Sequence, residues 1–135
     1  MSPREYLISL GTQTLEHSGR TLYQHLCNVE DILRICRMDD DVCLAGLYHS
    51  VYGTNYYGIK TTNDRELIKS IIGEKAEYLV FLFCNADRPN CWEKGANQFK
   101  FFNGSYVNIN NDVFEKLKFI DKVNHIEHGP ILFRG

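Results

Sequence analysis

The sequence predicts an all-α fold of five to six helices carrying one small β-hairpin, and three features carry that expectation. Leu22, Leu26, Val29, Leu33 and Cys36 recur at the three-and-four spacing of a helix with one buried face. Cap residues and glycines punctuate the chain at intervals that suit short helices. Phe99-Lys100-Phe101-Phe102, then Asn103-Gly104, then Ser105-Tyr106-Val107-Asn108-Ile109, predict a hairpin over 99–109, because Asn-Gly accepts the positive φ values of a type I′ turn.

Taken in order, Ser2 before Pro3 opens a first helix with Tyr6, Leu7 and Leu10 on one face, expected to end near His17-Ser18-Gly19. Thr21 caps the second helix, and His25 lies on the edge of its apolar face. The Asp39-Asp40-Asp41 run suits the positive end of a third helix that holds Val42, Ala45, Leu47, Tyr48 and Val51 and stops at Gly53; His49 shares the side of Ala45. That run lacks the spacing of a calcium loop. Asn63 and Glu66 read as a capping box for a helix closed by Gly73, and another helix runs from about Glu74 to Cys84. Pro89, Gly95 and polar neighbours make 85–97 a loop. Asn111 or Asp112 caps a last helix with Val113, Leu117, Ile120 and Val123, up to about His128 before Gly129-Pro130.

Composition narrows the function classes. With 135 residues, 44% of them hydrophobic, the chain can bury one core, so 1–135 is read as a single domain. A net charge of -2 with scattered lysines and arginines offers no basic stripe, which argues against nucleic acid as a partner. No window approaches the ~18 apolar residues of a membrane span, and the start lacks a signal-peptide layout, so no membrane partner and a cytoplasmic location are expected. Five cysteines without a C-x-x-C pair fit reduced thiols, not a zinc ribbon. Cys91, in the loop beside Trp92, is the one expected to be exposed.

The residues that can carry chemistry are few. His25 and His49 sit in consecutive helical segments beside apolar stripes, which is what a helical metal site is built on. The bland alternative is a pair of core histidines satisfied by ring hydrogen bonds. His17 reads as a helix-end or surface residue and a second-choice ligand, while His125 and His128 read as solvent-facing. Arg20 and Arg65, with Lys60 and Arg88, are cations suited to phosphate oxygens. Tyr52, Tyr56 and Tyr57, between Gly53 and Gly58, make an aromatic loop that can wall a small-molecule pocket or pack under a connection.

These residues also support a resemblance. S-G-R-T-L-Y-Q-H-L-C-N-V-E at 18–30, A-G-L-Y-H at 45–49, I-I-G-E-K-A-E-Y-L-V at 71–80 and L-K-F-I-D-K-V-N-H at 117–125 resemble, in order, segments of HD-domain metal-dependent phosphohydrolases, nearest the RelA/SpoT-like hydrolases. H-S-V-Y-G-T at 49–54 looks like a compact uncharacterised branch of that superfamily. The resemblance implies an HD-like bundle, a divalent metal (manganese, iron or zinc), a small and phosphorylated ligand, and ligands His25, His49 and Asp121, with Asp87 second. Ser50 stands where the HD pair has its Asp, and Tyr52-Gly53 where Glu-Asp follows. The expected activity is metal-assisted hydrolysis, with Arg20, Arg65 and Ser50 at the reaction. A non-catalytic ligand-binding or interaction module with an eroded site and no metal, and a non-haem iron oxygenase, are the alternatives.

Overall fold

The computed structural model describes residues 1–17 and 19–128. Its main elements are helices, with two short antiparallel hairpins. Helix α1 (Pro3–Ser9) opens as the sequence predicts: the Ser2 hydroxyl accepts from the Glu5 amide and the Glu5 carboxylate accepts from the Ser2 amide, a reciprocal capping box. It ends far short of His17. Gly11 turns the chain at φ 85 and the buried Thr12 hydroxyl donates to the Leu7 carbonyl, so the following residues leave the helix. They form an unforeseen hairpin in which β1 (Glu16–His17) pairs with β2 (Arg20–Thr21).

Thr21 and Gln24 make a second capping box for α2 (Leu22–Ile35), which buries Leu22, His25, Leu26, Val29 and Leu33 along one face. Arg4 fastens α1 to it through Glu30 and Asp31, both at 2.8 Å. Helix α3 (Asp40–Leu47) packs against α2 and stops six residues before Gly53. Tyr48 to Tyr52 therefore form a turn, so His49 lies past the helix end and not on its last turn with Ala45. Helix α4 (Arg65–Ile72) is capped by Asp64, whose carboxylate accepts from the Leu67 amide, and not by Asn63. Gly73, at φ 91, separates it from α5 (Glu74–Asn85).

The expected loop at 85–97 contains two single turns of 3-10 helix, at Asn90–Trp92 and Ala96–Gln98. Strands β3 (Phe99–Lys100) and β4 (Tyr106–Val107) follow, with Phe99 opposite Val107. The turn differs from the predicted two-residue type. Phe101 donates to the Ser105 carbonyl, Gly104 donates back to Phe101, and Gly104 has φ 93 while Asn103 is not at positive φ. Only one residue of the turn needs left-handed backbone, so the loop holds three residues. Helix α6 (Asn111–His128) runs across α2 and α3, and buries Phe114, Leu117, Ile120, Asp121, Asn124 and His128. The expected stop at Gly129-Pro130 lies outside the described residues. Among the described residues no helix is long and apolar enough to cross a membrane.

Candidate functional site

Four histidines from four elements converge in the interior: His17 on β1, His25 on α2, His49 in the turn after α3 and His128 at the end of α6. His25 and His49 are fully buried, His17 and His128 nearly so. The His25 ring is the hub, with centroids 4.3 Å from His17, 4.6 Å from His128 and 5.2 Å from His49. Two of the four correct the sequence reading. His17 is not a surface residue, because the 16–21 hairpin folds it inward against the edge of Tyr57. His128 is not solvent-facing, because it lies on the same helical face as Leu117, Asp121 and Asn124.

The ring tautomers follow from their partners. His49 Nδ1 lies 2.7 Å from the Gly46 carbonyl, which can only accept, so Nδ1 carries the hydrogen. His25 Nδ1 meets the Glu127 carboxylate, onto which Arg20 and Asn28 also donate, so that nitrogen is a donor as well. The two Nε2 atoms face each other at 3.4 Å, and the Asn124 side chain is also hydrogen-bonded to the His25 ring. That separation matches the edge of a tetrahedron with metal–nitrogen bonds of about 2.0–2.1 Å. His17, His25 and His128 also bring one nitrogen each within 4.8 Å of one another, and the buried Nε2 of His17 has no hydrogen-bond partner. A carboxylate holding the distal nitrogen of a histidine is the usual support for a metal ligand.

Electrostatics keep all four rings neutral, as ligands must be. Burial, reinforced by His17, His128 and Arg20, lowers His25 to about 2. Burial and the neighbouring His25 take His49 well below its ordinary value. Burial lowers His17 and His128 to about 4, with Arg20 adding at His17 and His17 adding at His128.

The other sequence candidates are placed elsewhere. Asp121 is buried in a pair with Arg88, at 2.8 Å, and accepts from the Trp92 indole at 3.3 Å. Asp87 sits beside Lys100 and Asn90. Ser50 is buried next to His49 with no hydrogen-bond partner for its hydroxyl. Arg20 reaches the histidine cluster through Glu127 and lies 3.4 Å from His25 Nδ1. Arg65 is turned away into a bidentate pair with the buried Glu77, which also accepts from Tyr52 at 2.8 Å. Tyr56 lies under the Arg88 guanidinium. Cys91, expected to be exposed, is fully buried. Its thiol is pushed up to about 12 by burial and by Asp121.

The architecture is therefore that of a helical protein organised around a buried histidine cluster. Residues 6–88, more than half of the chain, match a domain of unknown function, DUF6817, and the chain belongs to that family. The matched stretch contains His17, His25 and His49, and ends before Asp121 and His128. No curated protein and no solved structure matches the chain.

Proposed function

We propose that this protein is a metal-dependent hydrolase of HD-like architecture acting on a small phosphorylated molecule, with the ion held by His25 and His49. The observation that carries the reading is the pair of Nε2 atoms facing each other at 3.4 Å, each ring held by a partner on its opposite nitrogen. The HD-like arrangement draws support from one histidine on α2, the next just past α3, and α6 laid across both. Imidazole donors favour zinc or iron over manganese, which prefers oxygen ligands.

A divalent ion bound there would polarise a phosphoryl oxygen and lower the pKa of a bound water to about 7. The chain's own contribution is orientation. Glu127 and Gly46 hold the two rings, and Arg20, fixed on Glu127, is the cation positioned for a substrate oxygen. A second reading, a non-catalytic binding module, is favoured by Ser50 and by the engagement of Asp121 with Arg88, which leave the site without the carboxylate of the HD set.

The test is elemental analysis of protein purified without chelator or affinity tag, beside His25→Ala and His49→Ala. Near-stoichiometric zinc or iron in the parent, lost in both variants, is expected, followed by phosphate release from a phosphorylated probe. Metal-free parent protein rejects the hydrolase in favour of the module. Iron with oxygen uptake and no hydrolysis selects an oxygenase instead.

A further inference from the structure

A cavity of about 460 Å³ opens between the 52–60 segment, the start of α4, α5 and the tip of the second hairpin. Its size falls within the range of small-molecule sites, about 300–1,000 Å³. Three aromatic side chains line it: Tyr52, Phe81 and Phe102, the last 54% exposed at the rim. The polar lining is cationic. Lys60 contributes an ammonium that has no carboxylate partner among the described residues, and its stem passes over Gly53, whose φ of 82 keeps that position free of a Cβ.

Arg65 is the second cation, and it is fixed in place. Nε and Nη2 are bound to Glu77 at 2.7 and 2.8 Å, and the guanidinium lies 3.8 Å over the Phe81 ring. Its third nitrogen, Nη1, takes part in neither of these two bonds, and Tyr52 lies within hydrogen-bonding reach of the same guanidinium. Asn63 adds an amide at the same wall.

The geometry points to a binding site for a small aromatic anion, with its ring against Phe102 and Phe81 and its phosphate or carboxylate on Lys60 and Arg65. Aromatic faces accept a planar ring with little selectivity, and the two cations supply charge-assisted donors for the anionic group. This site is separate from the histidine rings and does not rest on the metal reading. The two share a wall, since Cys84 lines the cavity and its thiol donates to the His49 carbonyl at 3.1 Å.

The experiment is calorimetric titration of the full chain with adenosine monophosphate, benzoate and adenosine, each with and without EDTA. Lys60 and Phe102 are exposed, so Lys60→Ala and Phe102→Ala should fold normally, checked by thermal melting. Binding of either anion, unchanged by EDTA and weakened about tenfold in each variant, is expected, with uncharged adenosine weaker by a similar factor. A response to the monophosphate alone assigns a phosphate ligand, and to benzoate alone a carboxylate. Silence of both anions at millimolar concentration, affinity unaltered by both substitutions, or loss of binding in EDTA would overturn the proposal.

Discussion

His25 and His49 set their Nε2 atoms 3.4 Å apart while each commits its other nitrogen to an acceptor, Glu127 in one case and the Gly46 carbonyl in the other. Neither ring can turn without breaking the hydrogen bond on its other nitrogen, so a cation between the two Nε2 atoms would meet both rings already oriented. EDTA-stripped protein should therefore be stabilised by added zinc, by about 2.7 kcal/mol at a hundredfold excess over Kd. His49→Ala should show no gain. A thermal melt that zinc leaves unmoved in the parent would remove the basis for a metal at this pair.

Asp121 provides the contrast. Its carboxylate is matched to Arg88 and Trp92, so Asp121→Asn should leave metal content unaltered while destabilising the fold by roughly 3 kcal/mol, because a buried guanidinium loses its counter-charge. Metal content and denaturant midpoint, measured on the same preparation, separate the two effects. Loss of metal with the fold intact would instead return Asp121 to the ligand set that the HD resemblance implies.

Local chemistry explains which parts of this architecture were legible in the sequence. Ser2 before Pro3, Thr21 before Leu22, and Gly73 between α4 and α5 act within a few residues, and each marks a helix boundary that the structure has. His17 was misplaced because a polar run after Leu10 reads equally as a fraying helix end; Gly19, at φ 85, was the available sign of a hairpin. His128 was readable in principle, since Leu117, Asp121, Asn124 and His128 recur at helical spacing, but the polar members hid the buried face. The Arg88–Asp121 pair joins residues far apart in sequence, and no local pattern announces such a partner.

Acid should unfold the metal-free protein early. The histidines have folded pKa values below their ordinary 6.5, with His17 and His128 at about 4. Below 6.5 the unfolded chain takes up protons that the folded chain refuses, so stability is complete above that value and drains as pH falls toward 4. Each histidine contributes at most about 1.4 kcal/mol per pH unit across that window, and less where water still reaches the ring. Denaturant midpoints in EDTA should fall steeply from about pH 7 to pH 5, and less steeply in His17→Gln. A flat profile would mean that these rings are protonated or hydrated in the folded state.

Ser50 makes a sharper test of its own role. Its buried hydroxyl has no hydrogen-bond partner, so Ser50→Ala should leave stability unchanged to within about 0.5 kcal/mol, or raise it. Ser50→Asp should destabilise the metal-free protein, since a buried carboxylate without a partner is costly, and should recover on adding zinc if the carboxylate reaches the ion beside His49. Destabilisation that metal does not reverse would place Ser50 in the packing alone.

Gly46 links helix packing to the metal-binding geometry. It sits where α3 crosses α2, and a methyl group added there would overlap Leu33 Cδ1 and lie 3.2 Å from Val29 Cγ1. Helix propensity alone would favour Gly46→Ala by about 1 kcal/mol. Overpacking against a buried leucine opposes it with about 1–3 kcal/mol, so net destabilisation is expected. Because the Gly46 carbonyl holds His49 Nδ1, the displaced helix should also turn that ring and weaken zinc binding. Leu33→Ala leaves the space that the methyl needs, so in the double variant the two losses should fall short of additive by about 1 kcal/mol or more. Strict additivity would show that α3 accommodates the methyl without moving, and unaltered zinc affinity in Gly46→Ala would uncouple the helix contact from the histidine pair.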